Sequence, residues 1–404
     1  MHNYSNDEQN IIDKNREFSL SLRKREIYFK LFEGRNISGF NNKKISSIFD
    51  EKNEISIIKS KFNNLQFELD IDEEILLDNL SELLSILESF IIKKKKIVIT
   101  EELIEQSIID KIYKNILFNK YINQEEILTK VLTLLSEVLF LYNKIPNLSI
   151  YKNKFISNNE YINLFFSLIN SDSDEIIYKT YKFFGLLADN SEEITIKLYN
   201  DKILEQIINN HKYDDIDEII SVKVWLISNF NSFLKLYASD LELSFNIQKF
   251  YIYVFKEFIF NKNYGKELLD NLVKILMNLS LCKNDIYLKN ILDSKIISFI
   301  LNIDQNNSYK STNNLLIILG NMSSTDNSEI LLELYKESIH YLINIISSNN
   351  MKDYAISLAL WTINNFTEDN NLYMDIFLKN DLISIYKNYI LKNISIDENI
   401  FNEI

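Results

Sequence analysis

Trp225-Leu226-Ile227-Ser228-Asn229-Phe230 and Trp361-Thr362-Ile363-Asn364-Asn365-Phe366 are the stretches on which the reading of this chain turns. They hold its only two tryptophans, each followed four residues later by Asn and five later by Phe. Both close runs in which apolar residues recur at helical spacing, so Trp and Asn share one helix face. Asn is a poor choice inside a helix, because its amide competes for backbone hydrogen bonds. Its return in one register points to a shared task on a surface.

Working outward, the same frame recurs in Phe184-Gly185-Leu186-Leu187-Ala188-Asp189, Lys274-Ile275-Leu276-Met277-Asn278-Leu279 and Ile317-Ile318-Leu319-Gly320-Asn321-Met322. With Leu186, Asn229, Asn278, Asn321 and Asn365 taken as equivalent, the spacings are 43, 49, 43 and 44, and Asn143 lies 43 before Leu186. A helical period in the low forties is the signature of armadillo or HEAT repeats. Three helices are expected per period, over 192–199, 201–210 and 217–231 in one and over 327–335, 337–348 and 352–367 in another. Leu331, Leu332, Tyr335 and Ile339, then Leu342, Ile345 and Ile346, follow the spacing of a buried face. No such unit buries its apolar faces alone; stacking does, and a superhelix with a long concave surface results. The expected fold is therefore all-α: a right-handed superhelical solenoid of about seven or eight armadillo repeats over residues 61–404, preceded by a flexible basic arm over 1–60.

Composition agrees. The chain has 404 residues with 5 Gly and 1 Pro, which favours helices joined by short polar turns. One cysteine, Cys282, excludes an intrachain disulfide. No apolar run approaches the ~20 residues of a membrane span, and no signal-peptide pattern opens the chain. The net charge of −13 is uneven: residues 14–61 carry +6, residues 1–13 carry −3 and the rest −16. Such a body repels nucleic acid and suits a basic ligand. Further helices are expected over 72–92 and 101–118. Lys93-Lys94-Lys95-Lys96 reads as a solvated helix end that complements the helix dipole.

The arm contains Ser19-Leu20-Ser21-Leu22-Arg23-Lys24-Arg25-Glu26-Ile27-Tyr28-Phe29-Lys30-Leu31-Phe32-Glu33-Gly34-Arg35-Asn36-Ile37-Ser38-Gly39-Phe40. This frame resembles the importin-β-binding segment of importin-α over residues 16–40, and the Trp-x-x-x-Asn pairs resemble the same family's third helices over about 125–370. The resemblance implies a nuclear import adaptor that shuttles between cytoplasm and nucleus. It would bind basic nuclear localisation signals of cargo proteins, hand them to importin-β, and be recycled by an export receptor. It implies that Arg16, Arg23, Lys24, Arg25, Lys30 and Arg35 meet the carrier, and that Trp225, Asn229, Asn278, Asn321, Trp361 and Asn365 line the groove.

The chemistry suits that role. Indole rings make slots for Lys and Arg stems and attract the charged tips. Carboxamides both donate and accept, so they can hold a peptide backbone. Carboxylates at the rim, with Asp189, Asp326, Glu368 and Asp369 as candidates, would pair with ammonium and guanidinium heads. The chain also departs from the family. Lys274 and Ile317 replace Trp, Leu186 replaces Asn, and Lys182 stands four residues before Leu186. A groove lysine repels a basic ligand. At the arm's end, Glu33-Gly34-Arg35 carries one base where the family has a cluster, which implies weak autoinhibition.

A second reading keeps the solenoid without transport, as an armadillo scaffold or assembly chaperone. Enzymatic activity is not expected. His2, His211 and His340 are far apart and lack metal-ligand spacing, and neither a glycine-rich phosphate loop nor a nucleophile motif is present. No cofactor or metal is implied.

Overall fold

A computed structural model describes residues 72–93, 112, 124–144, 152, 159–189, 191–231, 241–260, 266–281, 284–307, 312–348, 351–367 and 384. The chain divides into two units, Met1–Ile57 and Ile58–Ile404. The first lies outside the described residues, and with it the expected arm. The helix expected over 101–118 also lies outside them, apart from the buried Ile112.

Every regular element described in the second unit is helical. These are α1 (Glu73–Lys93), α2 (Glu125–Lys144), α3 (Asn159–Leu168), α4 (Asp174–Ala188), α5 (Glu192–Asn200), α6 (Ile203–Asn209), α7 (Asp217–Asn231), α8 (Leu241–Val254), α9 (Lys266–Leu279), α10 (Asp285–Asp293), α11 (Ile296–Asn307), α12 (Thr312–Met322), α13 (Ser328–Ser347) and α14 (Asp353–Thr367). Helix α8 runs on into a single π turn, Phe255–Ile259. Local chemistry sets the starts. Ser173, Ser191, Asn284 and Asn327 are N-caps whose side chains accept from backbone N–H groups of the first turn. Asp and Glu fill the first turns of α1, α2, α4, α5 and α7, where they oppose the positive end of the helix dipole.

Two short helices followed by a longer one form the repeat: α5–α6–α7, then α10–α11–α12. The corner between the short helices uses one device twice. Lys202 and Lys295 both take φ of 60°, and their N–H groups donate to Tyr199 O and Leu292 O, each at 2.9 Å. The last repeat differs from expectation. Where two helices, over 327–335 and 337–348, were expected, α13 is one unbroken helix. Leu334-Tyr335-Lys336-Glu337-Ser338 offers no turn-prone pair like Asn200-Asp201 or Asp293-Ser294, and the Ser338 hydroxyl donates to Leu334 O at 2.7 Å within the helix.

The third helices form one continuous row. Contacts run α1 to α2, α2 to α4, α4 to α7, α7 to α9, α9 to α12 and α12 to α14. The remaining helices stack behind as a second layer, through α6 to α8, α8 to α10 and α10 and α11 to α13. The core lies between the layers. Phe165 of α3 stacks on Phe183 of α4 with centroids 4.2 Å apart, and Tyr335 of α13 meets Phe366 of α14 edge-on at 5.6 Å. On the second layer, Lys289 and Lys295 reach Glu333 and Glu337 of α13 at 2.8 and 2.9 Å. Among the described residues no helix is long and apolar enough to cross a membrane.

Candidate functional site

The two Trp–Asn pairs sit on α7 and α14, with α9 and α12 between them in the row, and each has a partner that sequence reading missed. Trp225 of α7 lies against Gly185 of α4; a Cβ at Gly185 would stand 2.3 Å from Trp225 Cζ3. Trp361 of α14 lies against Gly320 of α12, where a Cβ would stand 2.0 Å from Trp361 Cζ3. The Asn one turn later closes the same contact. Asn229 Nδ2 donates to Gly185 O at 3.1 Å, and Asn365 Nδ2 donates to Gly320 O at 3.0 Å. Each Trp-x-x-x-Asn is thus a two-point lock on the glycine of the preceding third helix. Where no Trp follows, the glycine position holds a side chain: Ser228 before Lys274, Met277 before Ile317.

In each pair the Asn amide nitrogen thus holds a neighbouring helix. Asn321 does likewise, with Nδ2 donating to Ser280 Oγ at 3.0 Å. Trp361 is 9% exposed, its ring closed over Gly320. Trp225 is half-buried, as are Asn229, Asn278, Asn321 and Asn365. Asp189 caps the C-terminus of α4, its N–H donating to Gly185 O at 3.0 Å. Asp326 is exposed in the α12–α13 turn. Glu368, Asp369, Cys282 and the arm residues Arg16, Arg23, Lys24, Arg25, Lys30 and Arg35 lie outside the described residues.

A feature of the row not singled out from sequence is its acidic edge. Asp72 and Glu74, Glu125 and Glu126, Asp174 and Glu175, Asp217 and Glu218, and Glu267 are exposed at the starts of α1, α2, α4, α7 and α9. Two first-turn acids join repeats: Glu73 Oε2 accepts from Gln124 Nε2 at 2.8 Å, and Glu125 accepts from the Ser173 hydroxyl. The edge ends at α12, which starts Thr312-Asn313-Asn314.

Among the described residues two lysines are buried. Lys152 Nζ donates to Leu186 O at 3.2 Å and to Asp189 O, at the C-terminus of α4, and Asn143 Nδ2 donates to the same Leu186 O at 3.0 Å. Burial pulls the Lys152 pKa down to about 8, against a weaker upward pull from the Asp189 carboxylate. Lys223 bonds Asp214 Oδ1 at 2.9 Å and Asn210 O at 2.7 Å, and burial outweighs the attraction of Asp214 in lowering its pKa. His211 Nδ1 lies 2.7 Å from Asp214 Oδ2. These groups fasten helix ends to the body. Nothing in the repeat period marks them, because each partner is specific to its own corner. Among the described residues no group of three or more His, Cys, Asp or Glu could hold a metal ion.

No family model matches the chain. An uncharacterized protein of Methanocaldococcus jannaschii, MJ0711, is 30% identical over 124 residues, 31% of this chain, and the match spans 37% of that relative's length. The crystal structure of an engineered protein superposes with a TM-score of 0.61 at 10% identity, over 87% of this chain and 76% of the other. A designed armadillo repeat protein in complex with the peptide (KR)4 gives a TM-score of 0.45 at 17% identity, over 60% and 94%. Only the first superposition bears on the fold. The three-helix period and the unbroken row of third helices make this chain an armadillo-like α-solenoid.

Proposed function

We propose that the row of third helices binds an extended polypeptide with basic side chains. The observation that carries this reading is the acidic edge: exposed carboxylates at the starts of five helices of the row, α1, α2, α4, α7 and α9, in which Trp225 is half-buried. A ligand lying across the helices meets one or two carboxylates at each step, and ammonium or guanidinium heads pair with them. Exposed pairs contribute little singly, roughly 0.2–1 kcal/mol each, so affinity comes from repetition. The scaffold acts by binding, without a chemical step.

The finer reading is a nuclear import adaptor, in which basic localisation signals occupy the row while Arg16, Arg23, Lys24, Arg25, Lys30 and Arg35 of the arm take an importin-β-like carrier. The order of the arm's bases supports it. A scaffold without transport needs the row and not the arm, so each is tested separately. Titrating a labelled Lys/Arg octapeptide against the full chain should give saturable binding that weakens steeply with salt. Residues 1–60 fused to an inert carrier should retain importin-β. Failure of the first removes the polypeptide-binding reading, and failure of the second removes the transport role alone.

A further inference from the structure

A cavity of about 490 Å³ lies beside the second layer, between the end of α6, the α6–α7 corner and α8. That volume falls within the range of small-molecule sites, about 300–1,000 Å³. Asn246, Lys249, Phe250 and Tyr253 recur at three and four residues, so one face of α8 supplies half of the lining. Asn209, His211, Asp214 and Asp215 supply most of the rest.

The corner holds one imidazole in place. The Asp214 carboxylate is 5% exposed and shared. Lys223 Nζ donates to Oδ1 at 2.9 Å and to Oδ2 at 3.2 Å, and His211 Nδ1 donates to Oδ2 at 2.7 Å. Lys223 Nζ also lies 4.6 Å from the centroid of the Phe250 ring. An ionised carboxylate only accepts, so the His211 proton sits on Nδ1 and the neutral ring keeps Nε2 as an acceptor. Among the described residues, the side chains of Asn209, Asp215 and Asn246 make no hydrogen bond or ion pair, and Lys249 Nζ has the Phe245 ring as its partner at 4.2 Å.

The charges of the lining cancel. Asp214 is matched by Lys223, which leaves Lys249 against Asp215. An ion of either sign meets a like charge here. A hydroxyl, with one donor and two lone pairs, can use carboxamide, carboxylate, ammonium and imidazole alike. Tyr253, 39% exposed, adds an aromatic face for C–H groups. Asn209 also lines a second cavity, of about 370 Å³, whose walls repeat this composition with Asn170, Gln206, Glu205 and Phe166.

We infer that these joined cavities bind a short neutral oligosaccharide. One pyranose sits in the larger cavity, its hydroxyls on Asn209, Asp215, Asn246 and Lys249 and its C–H face on Tyr253. The chain continues past Asn209 into the smaller one. The site belongs to the second layer and does not depend on polypeptide binding by the row.

Saturation-transfer NMR on the full chain tests this with maltotriose, cellotriose, mannotriose and triacetylchitotriose. Uridine serves as a neutral ring of another class, and glucuronate as a charged sugar. At least one trisaccharide should receive saturation through its ring protons. In calorimetric titrations of that sugar, Tyr253→Ala should weaken binding about tenfold and Asn246→Ala about fivefold. Tyr253→Phe should stay within about twofold, since it keeps the ring. Tyr253 is exposed and Asn246 half-buried, and matching circular dichroism melts would show the variants folded. No transfer to any of the four trisaccharides overturns the inference. So does sugar binding that both Ala variants leave intact, which would place the ligand elsewhere. Tighter binding of uridine or of glucuronate than of every trisaccharide would overturn it as well, because the cavity would then select a base or a charge.

Discussion

At the residue scale, the glycines decide more than the tryptophans. Gly185 and Gly320 are both under indole rings, and an added Cβ at either would fall inside contact distance of ring carbons. Gly320→Ala should therefore destabilise by about 1–3 kcal/mol, the range for overpacking. Trp361→Leu alone removes a buried ring and should lower stability by a similar amount or more. In the double variant the two losses should not add, because the smaller residue admits the methyl. Urea melts of the four proteins give the coupling, and strict additivity would show that the ring does not meet the glycine. The buried Lys152 gives a pH signature. Its folded pKa, about 8, lies below the ordinary 10.5. Between those values the unfolded chain binds more protons than the native one, so stability rises with pH across that window. The full excursion is on the order of 3 kcal/mol. The urea midpoint of the wild type, measured relative to Lys152→Gln, should climb from pH 7.5 to pH 9.5; a flat or falling difference would mean the ammonium is not desolvated.

At the element scale, what was legible followed from local rules. The helix expected over 217–231 is α7, residue for residue, and 192–199 differs from α5 by one. Caps, acidic first turns and 3.6-residue periodicity are encoded within a few residues, so they can be read along the chain. The fused α13 was misread because period alone demanded a corner that the residues 334–338 do not build. The Trp–Asn register was legible for the same local reason. Its partner glycines were not, since Gly185 and Trp225 meet across two intervening helices. The corners themselves make a prediction. Lys202 and Lys295 hold left-handed backbone, which disfavours a side chain by about 1–2 kcal/mol. Lys202→Gly should raise stability by about 0.5 kcal/mol, part of the relief being offset by the freer unfolded chain. Lys295→Gly forfeits the contacts of Lys295 to Glu333 and Glu337, at 3.2 and 2.9 Å, so it should gain less or nothing. Thermal melts of both variants separate the cases, and an equal gain would show that those ion pairs contribute nothing.

At the scale of the whole solenoid, stability is close to a sum over neighbouring repeats, so it follows the quality of each interface. The α4–α7 and α12–α14 steps carry Trp–Gly locks with an Asn bond to the glycine carbonyl. The two steps that flank α9 do not. Between α7 and α9 the polar tie is Ser228 to Asn271 at 3.3 Å, and between α9 and α12 it is Asn321 to Ser280 at 3.0 Å. Local opening concentrates where the interfaces are weakest. Helix α9 should then be the least protected of the inner helices from α4 to α14, even though Leu269, Leu272, Val273, Ile275 and Leu276 bury its apolar face as fully as its neighbours'. Native-state hydrogen exchange with peptide resolution measures this directly: amides of Lys266–Leu279 should exchange faster than those of Asp217–Asn231 and Asp353–Thr367. Placing Gly at Ser228 and Trp at Lys274 together should add the missing lock and slow exchange in α9, whereas either change alone should not. Equal protection along the row in the wild type would mean that the locks set register between repeats without setting their strength. The solenoid would then yield as one body, with no joint at α9.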